Sequence, residues 1–278
     1  NANFLVQDIA INHTITSTNL ADTTSSLFSG SLTDMAIGEQ VVYRTDISIP
    51  ESTFTGMTIT QTLPAGMKFL SGSILVDGVK SHTLSNVVIG PDNVITFSLG
   101  DVDNAGIGAG SGITIETQAV LLDQGTNTAG VGKTSNIIVN YSEKSKAGNP
   151  QIIEVVEPTL SITKVYSPNS GDAGDTIPTT VTIQNISNVT AYDVILSDVT
   201  AGKTTPDAGF SGSIAIGTLN PGEIRTYNYN TILNTNVSPG EILTGTATVQ
   251  YTSFPGTPGD GERTYSVSDT DAINIINS

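Results

Sequence analysis

The chain has 278 residues, beyond the usual span of one all-β domain, and its 26 Asp and Glu against 10 Lys and Arg give a formal net charge of -16. That balance excludes nucleic acid and anionic lipid as partners, because both require basic patches, and leaves divalent cations, basic surfaces and neutral glycans open. Without Cys there is neither a disulfide nor a thiolate metal site, and no run approaches the ~18 apolar residues of a membrane helix, so direct membrane insertion is not expected. The chain starts at Asn1 without Met, which reads as a processed or excised product whose export signal or anchor has been removed.

Charged residues are only 13% and hydrophobic residues 37%, with abundant Thr, Ser, Asn and Gly, as in sheets with β-branched cores and Thr-rich solvent faces. Apolar residues do not recur at helical spacing over three turns anywhere, whereas period-two alternation runs through most of the chain. The first strand is expected in the apolar stretch Phe4 to Ile15, which also has the character of a strand that adds to a neighbour's sheet edge. Next come Val41, Tyr43, Thr45, Ile47 and Ile49, the turn Pro64-Ala65-Gly66, the turn Gly90-Pro91-Asp92-Asn93, and a strand through Ile113, Ile115 and Thr117. Beyond Glu157-Pro158 a strand through Ile162, Lys164 and Tyr166 stops at Pro168, and the turns Asn220-Pro221-Gly222 and Ser238-Pro239-Gly240 follow. Short strands separated by Gly and Pro turns predict β-sandwiches.

The two halves repeat each other. Ile37-Gly38-Glu39-Gln40-Val41 answers Ala173-Gly174-Asp175-Thr176-Ile177, and the stretch Met57 to Gly66 lies over Asp193 to Gly202 at the same interval. Ser98-Leu99-Gly100 answers Ala215-Ile216-Gly217, and Ile138 to Tyr141 answers Thr248 to Tyr251. The reading is therefore all-β, with two tandem Ig-like antiparallel sandwiches at 1–157 and 158–278. The first is lengthened in Phe69 to Val94 and in the loop from Asp101 to Gly112. The linker at Glu157-Pro158 is short, which predicts a fixed, elongated relation between the modules.

Several stretches resemble the prokaryotic surface repeat of the domain-of-unknown-function 11 family and the related fimbrial isopeptide-forming domains. The resemblance lies in Leu160 to Lys164, Asp172-Ala173-Gly174-Asp175-Thr176, the tract Asn185 to Ala191, Gln61 to Gly66, and Gly217 to Glu223. It covers most of 159–278 and, more loosely, 1–157. It implies Ig-like sandwiches in tandem arrays on cell surfaces, extracellular and without enzymatic role. The second copy departs at Asp198-Val199-Thr200-Ala201-Gly202, where the family prefers Leu-Pro, and its turn is expected to survive on Gly202. In isopeptide-forming relatives a Lys on the first strand bonds to an Asn on the last. Here that implies Lys164 with Asn274 or Asn277, assisted by Asp198 or Glu223 as the buried acid, with no counterpart Lys on the first module's opening strand.

Candidate chemistry is sparse. His13 and His82 are the only groups that titrate near neutral pH, no Gly-X-Ser-X-Gly elbow is present, and both His are expected to pack on strands or the surface. The loop Gly106 to Gly112 lies between strands with no helix to follow it, so it reads as a hairpin loop and not a phosphate cradle. Asp101, Asp103 and Asn104 cluster oxygen donors after a strand, as do Asp260 with Glu262 and Asp269 with Asp271. Ca²⁺ at the first of these is the one cofactor the sequence suggests. The sequons at Asn12, Asn140, Asn185, Asn188 and Asn236 are as many as this composition produces by chance. Function is expected to be structural or adhesive: a stalk or spacer of an adhesin, a filament or surface-layer subunit that uses strand addition, or a tip that binds host or matrix glycans or proteins. The expected partners are other copies or neighbouring domains of a surface protein.

Overall fold

In a computed structural model the chain is described for residues 8–21, 23, 30, 32–76, 79–82, 87–90, 93–104, 111–207, 212–256 and 261–277, with side chains at 79–82, 103 and 111 excepted. It is all-β and divides into two compact units, Asn1–Val156 and Glu157–Ser278.

Among the described residues the strands of the first unit are β1 (Ala10–Thr18), β2 (Thr33–Ala36), β3 (Gln40–Ile49), β4 (Thr53–Thr62), β5 (Met67–Val76), β6 (Val79–His82), β7 (Val87–Ile89), β8 (Val94–Asp103), β9 (Ser111–Leu121), β10 (Gly132–Tyr141), β11 (Lys144–Ala147) and β12 (Gln151–Val156). One sheet runs β1-β3-β9-β5-β6 and the other β2-β12-β10-β4-β8-β7, with β11 also on β10. Alternation dictates which residues go inside: β3 buries Val41, Tyr43, Thr45, Ile47 and Ile49 and turns Val42, Arg44, Asp46 and Ser48 outward. The inward residues of both sheets merge into one apolar cluster that includes Met57, Ile59, Ile115, Ile137 and Val139.

The strands of the second unit are β13 (Leu160–Tyr166), β14 (Ser170–Gly171), β15 (Thr176–Asn185), β16 (Ala191–Val199), β17 (Thr204–Pro206), β18 (Ser213–Leu219), β19 (Ile224–Leu233), β20 (Ile242–Thr252) and β21 (Thr264–Ile275). Its sheets run β13-β15-β19-β17 and β14-β21-β20-β16-β18. The common frame is the same in both units, and the added length of the first is β6, β7 and the β11 hairpin. The interior differs: the second unit holds two apolar clusters, one around Val181, Leu196 and Val249 and one around Ile177, Leu233 and Ile273. Buried polar side chains lie between them.

One turn recurs. In Ala36 to Glu39, Asp172 to Asp175, Asn220 to Glu223 and Ser238 to Glu241, the third residue is a Gly at φ of 93, 85, 73 and 84° respectively. The fourth is an acid whose carboxylate accepts the N–H of the first, at 2.8, 2.7, 3.0 and 3.0 Å. A Cβ disfavours that φ, and the acid satisfies an N–H that the turn leaves open. The turn after β16 departs from the sequence expectation. Thr204 N donates to Ala201 O, so the left-handed position is Lys203, at φ 61°, and Gly202 does not occupy it. The second copy is one residue longer at this point than the matched interval allows.

That extra residue changes which side chains correspond. Met57 pairs with Gly100 and Ile59 with Val139, whereas Val194 pairs with Gly217 and Leu196 with Val249. Continuing inward along each strand, Gln61 corresponds to Asp198. The constant interval read from sequence set Gln61 opposite Ser197, on the other face, because a shift of one residue inverts a strand.

Candidate functional site

The charged centre of the second unit's polar layer is built from three strands. Lys164 faces inward from β13, Asp198 from β16 and Tyr229 from β19, while Tyr166 lies two residues beyond Lys164 on the same face. Lys164 Nζ donates to both carboxylate oxygens of Asp198, at 2.5 and 2.6 Å, and to Tyr229 Oη at 3.1 Å. The Tyr229 hydroxyl donates to Asp198 Oδ2. Both charged side chains are fully enclosed, at 0% exposure. The ammonium also lies 5.0 Å from the Tyr166 ring centroid and 5.8 Å from that of Tyr229, where ring faces attract a cation. Beside this group Thr179 and Thr231 share a hydroxyl hydrogen bond of 2.7 Å.

Burial pulls the Lys164 ammonium below the usual lysine range, against Asp198 and Asp271, which hold it up. The phenols of Tyr166 and Tyr229 are pushed far above theirs, first by burial and then by the neighbouring carboxylates. In this setting Tyr229 stays a hydrogen-bond donor to Asp198 at any ordinary pH. Tyr166 Oη is buried without a hydrogen-bond partner.

Gly245, on β20, explains how Tyr166 fits. A Cβ there would lie 2.1 Å from the Tyr166 hydroxyl oxygen and 3.1 Å from Lys164 Cε, so the phenol occupies the space a side chain would take. Gly245→Ala should therefore cost about 1–3 kcal/mol of overpacking. Tyr166→Phe alone should be close to neutral because its hydroxyl has no partner, and in that background Gly245→Ala should cost much less. Thermal unfolding of the four forms checks this, and a Gly245→Ala penalty unchanged by Tyr166→Phe would contradict the contact.

The structure brings Lys164 and Asp198 together and does not bring Asn274 to them. Lys164 N is joined to Asp269, and Asn274 lies five residues further along β21, roughly 16 Å away at strand rise. Asn274 is also on the exposed face, where its amide donates to Asn169 O at 3.3 Å, and Asn277 lies past the strand end. Glu223 sits in its exposed turn, with Asn220 and an ion pair to Arg225. Asp269 and Asp271 act as acceptors for the N–H groups of Lys164 and Tyr166, at 2.8 and 2.7 Å.

At the suggested Ca²⁺ site, Asp101 Oδ1 accepts Gly56 N at 2.9 Å. Asn104 is 1% exposed and its amide donates to Ile49 O and Pro50 O at 2.9 and 3.2 Å, so it fastens a strand end. The Asp103 side chain, the loop at 105–110, Asp260 and the His82 side chain lie outside the described residues. Among the described residues, no group of three or more His, Cys, Asp or Glu is placed to hold a metal. Nor is any helix among them long and apolar enough to cross a membrane.

The first unit has a counterpart that sequence reasoning missed. His13 pairs with Thr45 across β1 and β3, just as Lys164 pairs with Val181 across β13 and β15, so His13 occupies the Lys164 position. His13 Nδ1 is 2.8 Å from Thr45 Oγ1 and Nε2 is 3.4 Å from Ser135 Oγ. Gln61 donates to Ser135 Oγ at 3.0 Å and accepts from Thr117 Oγ1 at 2.7 Å. Position by position, Lys164, Asp198, Tyr229 and Gly245 become His13, Gln61, Thr117 and Ser135. The layer is retained with every partner neutral, and burial lowers His13 to about 4, so its imidazole is uncharged.

No protein-family model matches the chain and no curated protein matches it, so the resemblance to the domain-of-unknown-function 11 repeat finds no support there. Among solved structures the chain is similar to the C-terminal domain of the AgI/II polypeptide BspA of Streptococcus agalactiae, at 9% identity and a TM-score of 0.50, covering 95% of this chain and 100% of that one. A second structure, BspA_C_mut, gives 9% identity and a TM-score of 0.51 over 98% and 100%. The major pilin subunit BcpA of Bacillus cereus matches at 15% identity and a TM-score of 0.39, over 96% of this chain and 67% of that one. At these identities the likeness to the two BspA structures shows the fold alone.

Proposed function

We propose that the chain is a non-catalytic structural module of an extracellular microbial surface protein, a stalk or spacer whose partners are neighbouring domains of the same assembly. The observation that carries this reading is the enclosure of the Lys164–Asp198 pair at 0% exposure, which seals this charged constellation from any substrate and ties one sheet to the other. Its ammonium is saturated by Asp198 and Tyr229, so the clasp acts as an ion pair in this proposal, and no bond to Asn274 is needed. The fold it shares with the BspA domain is consistent with a surface role.

A spacer is favoured over a strand-donating filament subunit by β1, which pairs with its own β3 from Ala10↔Ser48 to Thr18↔Val41. Sedimentation over a wide concentration range, with and without Ca²⁺, should give one monomeric species. Polymers that grow with concentration and vanish on deleting residues 1–18 would overturn the spacer reading in favour of the filament.

A further inference from the structure

We propose that the second unit is built to bear tension between its two ends, because the segment that enters it and the strand that leaves it run parallel, side by side, and are joined at one constant spacing. The proposal rests on the structural-module reading and says what such a module does under load.

Asp269 Oδ2 accepts Lys164 N and Asp271 Oδ2 accepts Tyr166 N, each across 105 positions. The same spacing continues in the backbone, where Asn274 N donates to Asn169 O at 2.9 Å and Ile276 N to Gly171 O at 3.0 Å. β14 and β21 pair in parallel through Ser170↔Asn274 and Gly171↔Ile275. The incoming segment from 164 to 171 is thus fastened along its length to the outgoing strand, partly by side chains that stand in for a backbone ladder.

Parallel neighbours place entry and exit at opposite ends. A pull along the chain then loads these bonds together in shear, whereas a pull on two adjacent strand ends opens a ladder one bond at a time. Lys164 adds a transverse pin. Its side chain crosses to Asp198 on β16, so β13 cannot slide along β21 without pulling an ammonium off a carboxylate while both are enclosed at 0% exposure.

The absence of Cys makes the test direct, since introduced thiols are unique force handles. In the full chain, handles at Thr159→Cys and Asn277→Cys load the parallel pair in shear. Handles at Asn236→Cys and Asn277→Cys peel β21 from β20, because both lie at the Ile242↔Asn274 end. Single-molecule pulling should give a high rupture force in the first geometry and a clearly lower one in the second. Adding Lys164→Met with Asp198→Leu should lower the first and leave the second unchanged. Equal forces in the two geometries, or a shear force indifferent to the double substitution, would overturn the proposal. Neither result would touch the monomeric state on which the module reading is tested, so failure of one is distinguishable from failure of the other.

Discussion

Lys164→Met should destabilise the second unit by about 3–5 kcal/mol, because it leaves the Asp198 carboxylate buried without its counter-charge. Asp198→Leu should cost a similar amount by stranding the ammonium. Both changes together should cost far less than either alone, since two ions would be removed from a dry interior along with the attraction between them. That ordering is the signature of an enclosed pair: an exposed pair of this kind contributes about 0–1 kcal/mol and its two losses nearly add. Chemical denaturation followed by hydrogen exchange on peptides from β13, β16 and β19 isolates the second unit from the first. Additive single losses would show that Lys164 and Asp198 do not meet.

The first unit should show opposed pH dependences once two of its buried titrating groups, His13 and Glu39, are separated. His13, at about 4 in the fold against 6.5 for an imidazole in water, stays neutral inside while the unfolded chain takes up a proton. Its contribution is complete above pH 6.5 and is lost as pH falls to 4, a loss of roughly 3 kcal/mol. Glu39 runs the other way. Burial raises it from 4.5 to about 7, although Thr23 Oγ1, Ala36 N and Leu20 N all donate to its carboxylate. Its contribution is complete below pH 4.5 and is lost as pH rises to 7, again by roughly 3 kcal/mol.

In the unaltered chain the two largely cancel between pH 4.5 and 6.5. His13→Gln should therefore make the first unit gain stability as pH falls through that window, and Glu39→Gln should make it lose stability over the same window. Hydrogen exchange on β1 and β3 peptides at several pH values reads both. Slopes of the same sign in the two variants would contradict the assignment.

Much of the fold is legible from alternation and turns. The inward set on β3 is Val41, Tyr43, Thr45, Ile47 and Ile49 as the period of two requires, and the Gly-acid turns at 38–39 and 174–175 recur in the structure with the same hydrogen bonds. Lys164 and Asp198 were visible as candidates only through the resemblance to isopeptide-forming domains, which implies a Lys on the first strand and a buried acid beside it. What was not legible is register. Asn274 and Asp271 are three residues apart on one strand and face opposite ways, and only the pairing of Ile242 with Asn274 settles which of them turns inward. Gln61 and Asp198 escaped comparison for the same reason, a single inserted residue before the turn at Lys203. His13, Gln61, Thr117 and Ser135 carried no shared motif, because hydroxyls, an amide and an imidazole replace a charge pair position by position with no common chemistry to align.

The intact mass of the purified, unfolded chain tests the central claim most directly, together with acylation of its lysines in denaturant. A clasp held by charge alone predicts the mass of the sum of its residues and a Lys164 amine that reacts fully once the sandwich is open. A mass short by one water, or by one ammonia, with Lys164 refusing the reagent, would mean that the two sheets are joined covalently and that the ionic account is wrong.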